Sequence, residues 1–373
     1  MNIQDYFDYF KQYESHILSN PIQFAMDLLS EHVGDDLVKE LLILAIASTY
    51  NKAKRMRVNV LLQGSPASGK SHLVTLLMKM LPKRKYLDFS RITPHALDYM
   101  QDIIGTSNID GKIIFITEYA GIGKQNYSLR VLLTEGKLRL LTANRKKILE
   151  LKGFPSIIST TTEINIADPQ MMSRLVTVNV DESEELTKKV VSYVVRNNNK
   201  IEGIKEKRKA FKYFIAKELK KYYVILEDQA CEVLEKFLLS LKKTTYLRRL
   251  AVVTRSLVEA RALLFQHSRE KYDDKTLIAT KDDAEYVINL VKDILSIQVY
   301  GLSVKHYEVY KKISEILAIQ EVMTIKDLYQ RIKRYIDISE RYFRLLLDDL
   351  EKVGMIEVIR ETRPYKVRLI SYS

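Results

Sequence analysis

One stretch, Val58 to Thr75, reading VNVLLQGSPASGKSHLVT, constrains what the rest of the chain can fold into. A short apolar run (Val58, Val60, Leu61, Leu62) closed by Gly64 predicts a buried strand, and the spacing Leu73, Leu76, Leu77, Met80 predicts a helix. Between them Gly64-Ser65-Pro66-Ala67-Ser68-Gly69-Lys70-Ser71 fits G-x-x-x-x-G-K-S/T without a mismatch, in the strand-to-helix setting that the pattern requires. Gly64 and Gly69 let the backbone curl so that successive N–H groups and a helix N-terminus face a phosphate. Lys70 would then reach the β- and γ-phosphates, and the Ser71 hydroxyl would ligate Mg²⁺. His72 follows as a candidate nucleotide contact, with an ordinary surface histidine as the alternative. The expectation is an ATP or GTP site, with ATP and Mg²⁺ as the working ligands.

The length, 373 residues, allows two or three domains with ample core. No apolar run reaches membrane-spanning length, and the acidic, aromatic start MNIQDYFDYF carries no secretory or transit signal, so a cytoplasmic location is expected. The single cysteine, Cys231, excludes an intramolecular disulfide, and six scattered histidines give no structural zinc pattern. A formal net charge of +13 favours a polyanionic partner, nucleic acid first. A Lys-rich, Tyr-rich composition can equally reflect a thermophilic or AT-rich source.

Residues 1–50 read as a helical segment and 51–180 as an α/β core. Within the core, Lys85 to Ser90 predicts a second strand, Pro94 to Ile103 a helix, and Gly111 to Tyr119 a buried parallel strand whose four apolar residues are followed by Thr117 and Glu118. Acids at such a strand end serve metal and water in nucleotide-hydrolysing sheets. Glu118 is therefore the candidate for orienting or deprotonating the attacking water, with a structural ion pair or helix cap as the alternative. Thr117 stands where an Asp is usual and could hold a metal-bound water. Lys137 to Lys152 alternates like a β-hairpin turning near Ala143-Asn144, with Arg145, Lys146 and Lys147 at its tip. A further strand, Ser156 to Thr162, ends in polar residues, and Met171-Met-Ser-Arg-Leu175 leads into another, Val176 to Val180.

This order of motifs resembles an AAA+ ATPase, and within that class the minichromosome maintenance (MCM) helicases and their relatives on mobile elements and viruses. The resemblance implies a parallel-sheet core, a helical lid over residues 181–300 and a hexameric ring hydrolysing ATP between subunits. It makes Ser173-Arg174-Leu175 the arginine-finger motif, Leu247-Arg248-Arg249-Leu250 the sensor-2 segment, Thr160 to Thr162 (Thr161 at the centre) the sensor-1 position, and the basic hairpin a DNA contact in the pore. Thr117 for Asp, Thr for the sensor-1 Asn, and the lack of room for a large N-terminal DNA-binding domain depart from the family.

Residues 301–373 read as three helices followed by two strands, a winged helix-turn-helix arrangement. On the third helix, Phe343, Leu346, Leu347, Leu350 and Val353 share one face and leave Arg341 and Arg344 outward, toward DNA or toward a docking protein. The reading is an ATP-driven DNA helicase or replication ATPase binding single-stranded or forked DNA. The alternatives are an ATP-switched initiator, loader or transposition ATPase, and a winged-helix regulator that binds nucleotide without turnover.

Overall fold

The structure, a computed structural model, describes residues 3–53, 57–93, 96–119, 127–142, 147–162, 169–196, 203–241, 246–300, 304–361 and 363–370. These form two compact units, Met1–Leu238 with Thr245–Val291, and Leu239–Thr244 with Lys292–Ser373.

The first unit opens with helices α1 (Phe7–Ser19), α2 (Pro21–Leu28) and α3 (Asp36–Ser48). Asn20 ends α1 and caps α2, its side chain accepting from Gln23 N at 3.0 Å. Pro21 takes the first helical position, where a missing N–H costs nothing. Every residue from Leu41 to Ser48 is buried, so the second half of α3 is core on all sides.

The chain then runs β1 (Val60–Gln63), α4 (Lys70–Lys79), β2 (Tyr86–Phe89), α5 (Met100–Ile104), β3 (Ile113–Ile116), α6 (Tyr127–Glu135), β4 (Lys137–Thr142), β5 (Lys147–Lys152), β6 (Ser156–Thr161), α7 (Pro169–Met172) and β7 (Val176–Asn179). Five strands make one parallel sheet in the order β2-β3-β6-β1-β7. Every residue of β1, β3 and β6 is buried, which is why β1 and β3 read as apolar runs rather than alternating ones, whereas β6 buries the hydroxyls of Ser156, Ser159, Thr160 and Thr161 beside Ile157 and Ile158. β6 lies between β1 and β3, in register Gln63↔Thr161 and Ile116↔Ser159. Its polar end therefore falls between the loop after β1 and Thr117-Glu118 after β3.

β4 and β5 pair antiparallel from Lys137↔Lys152 to Thr142↔Lys147. Leu138, Leu149 and Leu151 face inward, while Leu141 and Ile148 are exposed near the far end. The turn residues Ala143, Asn144, Arg145 and Lys146 lie outside the described residues.

After β7 come α8 (Glu184–Arg196), α9 (Ile204–Tyr213), β8 (Tyr223–Leu226), α10 (Asp228–Ser240), α11 (Leu247–Leu264), β9 (Lys271–Asp273), β10 (Thr276–Ala279) and α12 (Lys281–Tyr300). The wholly helical segment expected over 181–300 is thus corrected: it carries a three-stranded sheet, β8-β10-β9. Tyr223-Val224-Ile225 alternates exposed, buried, exposed, a period-2 signal too short to stand out between helices.

The second unit contains α13 (Val304–Leu317), β11 (Val322–Thr324), α14 (Ile325–Ile332), α15 (Glu340–Lys352), β12 (Ile356–Ile359) and β13 (Lys366–Leu369). Its antiparallel sheet has the order β11-β13-β12 and includes β11, a strand absent from the sequence expectation. Thr324 and Ser339 cap α14 and α15. Phe343, Leu346, Leu347 and Leu350 join Val309, Ile313, Leu328, Ile356 and Val367 in one core, as the apolar face of α15 required.

Candidate nucleotide site

The loop from Gly64 to Gly69 leaves β1 and enters α4 at Lys70. A Cβ added at Gly64 would lie 2.6 Å from Val180 Cγ2 and 2.8 Å from Glu182 Oε1, so this position has no space for a side chain. Gly69 adopts φ +88°, and Ala67 also has positive φ (66°), so the loop curls as the glycine spacing predicted. Gly64 N donates to the Thr161 carbonyl at 3.3 Å, joining the loop to the end of β6.

Lys70 is buried, and its ammonium donates to Gly64 O at 2.8 Å, Ser65 O at 2.7 Å and Ser68 Oγ at 2.9 Å. Burial pushes its pKa below the ordinary lysine range, against the pull of the Glu182 and Glu118 carboxylates. Glu118 thus acts on the loop lysine electrostatically from the end of the neighbouring strand. Thr117 N and Glu118 N donate to Phe89 O and Ser90 O at 3.0 and 3.2 Å, extending the β2–β3 pairing beyond its last strand residues. The Thr160 hydroxyl donates to the Thr117 carbonyl, and Thr161 is fully buried. Residues 117–118, 160–161 and 64–70 are therefore one connected constellation.

Three residues that sequence reasoning passed over complete it. The Glu182 carboxylate accepts from Ser65 N. His32 packs on Gly69, whose added Cβ would meet His32 Cε1 at 3.0 Å, and its Nε2 lies 2.7 Å from Asp35 Oδ2. Asp35 Oδ1 accepts from Asp181 N at 2.7 Å, tying the N-terminal helices to the segment after β7. The signals were slight: a Gly34-Asp35 turn, and an acidic run at 181–185 that reads as a helix start. The His72 ring centroid is 5.9 Å from that of His32, and burial together with His32 pushes the His72 pKa down, so it is neutral at neutral pH.

The arginines lie elsewhere. Arg174 is buried, with Nε donating to Thr134 Oγ1 at 2.9 Å and Nη1 to the Gln170 carbonyl. Its carbonyl accepts from Asn59 Nδ2 at 3.2 Å, which puts it at the amino ends of β1 and β7, the end opposite the loop. Arg249 on α11 donates to Ser173 Oγ beside it, and Arg248 is exposed. In the second unit Arg341 is exposed, and Arg344 is exposed but pairs with Glu340 at 2.8 Å.

The residues present fit a polyphosphate: a cradle closed to side chains, a buried ammonium and a helix N-terminus. No group of three or more His, Cys, Asp or Glu side chains could hold a metal among the described residues. A divalent ion here would depend on a few hydroxyl or carboxylate oxygens plus phosphate oxygens, the habit of Mg²⁺. No helix among the described residues is long and apolar enough to cross a membrane.

A parallel sheet with this loop at the carboxyl end of a central strand defines a P-loop nucleotide-binding protein. The chain belongs to the family described as the MTBMA_p00010 P-loop domain, whose model matches residues 11–228. No curated protein matches it.

Proposed function

We propose that the chain is an AAA+ ATPase of the MCM-like kind that hydrolyses ATP at subunit interfaces and acts on DNA as a helicase or replication ATPase. The observation that carries this reading is the separation of Lys70 from Arg174. Lys70 lies past the carboxyl end of β1, and Arg174 lies before the amino end of neighbouring β7. Four strand residues span about 13 Å. One chain therefore does not bring both to one phosphate, whereas a ring presents the Arg174 edge of one copy to the loop of the next.

In that reading Gly64, Ser65, Pro66, Ala67, Ser68 and Gly69 hold the phosphates, with Lys70 and Ser71, and His72 borders them. Ser71 and Thr117 offer the metal-side oxygens, and bound Mg²⁺ neutralises phosphate charge. Glu118 orients and deprotonates the water, with Thr161 beside it. Arg174 stabilises developing charge from the neighbouring copy, and the contact of Arg249 with Ser173 favours a role for adjacent Arg248 at the same interface. Arg145, Lys146 and Lys147 at the hairpin tip follow the DNA backbone. The second unit acts as a winged helix, with Arg341 the stronger DNA contact because Glu340 partly neutralises Arg344.

A second reading, an ATP-operated assembly switch without processive unwinding, is favoured by Thr117 in place of Asp. ATPase and fork-unwinding assays, with and without single-stranded DNA, separate the two. DNA-stimulated turnover with strand separation supports the motor, DNA-independent turnover without it supports the switch, and no turnover sinks both.

A further inference from the structure

At the amino side of the main sheet, cations and tyrosines gather on a surface that the proposed mechanism does not use. Asn51 bridges to Tyr222, and Lys52 N donates to the Tyr222 carbonyl at 2.8 Å, so the segment after α3 runs beside β8. Lys52 Nζ lies 5.9 Å from the Tyr222 ring centroid and 5.8 Å from that of Tyr223, and Lys271 Nζ lies 5.5 Å from Tyr222. Next to them, Lys221 Nζ is 3.1 Å from Asp110 Oδ2, Arg57 Nη2 is 3.8 Å from Asp110 Oδ1, and Lys85 Nζ is 3.7 Å from the Tyr50 centroid.

Cations outnumber acids within these contacts. Arg57 and Lys221 pair with Asp110, which also acts on Lys85; Lys52 and Lys271 lie against the tyrosines, and Glu259 is buried and engaged by Asn51 and Arg255. Arg57 is 3% exposed, and among the described residues its Nε has no hydrogen-bond partner. Burial, then Lys221 and Arg57, hold the Lys85 ammonium well below its usual pKa. Such crowding is relieved by an incoming anion. The aromatic side is open: Tyr223 is 46% exposed and Tyr272 is 72% exposed. Cations alone would fit any polyanion, but exposed rings flanked by ammonium groups suit unstacked bases joined by phosphates.

We propose that this edge is a binding surface for single-stranded nucleic acid, with Lys52, Lys221 and Lys271 following the phosphates and the exposed Tyr223 ring stacking on a base. It rests on the DNA reading and extends it to residues other than Arg145, Lys146 and Lys147, so that its outcome does not depend on theirs.

The test uses the full chain and a labelled oligo(dT) of about 20 nucleotides, longer than one such footprint. Affinity is read by anisotropy between roughly 50 and 200 mM salt. Lys52→Ala with Lys271→Ala should weaken binding and lower the salt slope by about 1.4, two contacts' worth. Tyr223→Ala should weaken it by about fivefold to a hundredfold without changing the slope. Both should leave ATP affinity and the melting temperature near wild type. Should the double variant unfold, Lys271→Ala alone, altering one exposed side chain, replaces it with half the slope change. Unchanged oligo(dT) affinity in the lysine and Tyr223 variants overturns the proposal, as does equal loss on a duplex of the same length. Loss confined to Arg145→Ala with Lys146→Ala and Lys147→Ala overturns it too, while leaving the hairpin reading intact.

Discussion

Asn59 holds Arg174 at the foot of the sheet: its side-chain N–H donates to the Arg174 carbonyl at 3.2 Å, one strand length from the loop that carries Lys70. With Nε on Thr134 and Nη1 on Gln170, the guanidinium is oriented before any partner arrives. Arg174→Ala should lower ATP turnover by roughly 10³-fold, the scale of an arginine supplied in trans. Mixed with Lys70→Ala subunits it should regain some activity, because some interfaces then hold two intact halves. A mixed assembly shown to contain both variants and still inactive would count against a shared site.

Lys70→Ala removes the ammonium that bonds Gly64, Ser65 and Ser68. Nucleotide affinity, read by titration calorimetry, should fall at least about tenfold, since a charge-assisted contact to phosphate is lost. Circular dichroism should stay native. Wild-type affinity would show that the loop is structural.

Glu118→Gln keeps the side chain's shape but not its basicity. ATP should still bind while steady-state hydrolysis falls by about 10² to 10⁴. Normal turnover would leave Glu118 as an electrostatic neighbour of Lys70 and nothing more.

Glu182 places a carboxylate on Ser65 N and acts on Lys70, where it opposes an incoming polyphosphate. Glu182→Gln can keep a hydrogen bond and drops the charge. Nucleotide affinity should rise by about threefold to tenfold at low salt, and the gain should shrink as salt screens it. Weaker binding would mean that the carboxylate supports the loop instead.

Glu150 sits between Lys152, Arg139 and Lys137 on the hairpin, and their hydrogen bonds lower its pKa to about 2. Because the folded value lies below the unfolded one, its contribution is complete above about pH 4.5 and is lost as pH falls toward 2. Urea unfolding at several pH values should show the wild type more stable than Glu150→Gln at pH 5, with the gap closing at lower pH. A constant gap would mean that the carboxylate is not ion-paired in solution.

The sequence by itself determined the loop, because a phosphate cradle needs Gly64, Gly69, Lys70 and Ser71 at fixed spacing between strand and helix. It also determined the buried strands β1 and β3, whose apolar runs allow water on neither face, and the inward stripe of α15. Only the tertiary structure decided which distant groups meet. That β6 separates β1 from β3, bringing Thr161 to Gly64 and Thr160 to Thr117, is set by strand order, which local periodicity does not encode. The same holds for Glu182 on Ser65, His32 against Gly69, and Lys52 beside Tyr222, pairs drawn together from segments far apart in the chain. A single polar residue leaves no periodic trace, so its partner is fixed by the packing of the elements that carry it.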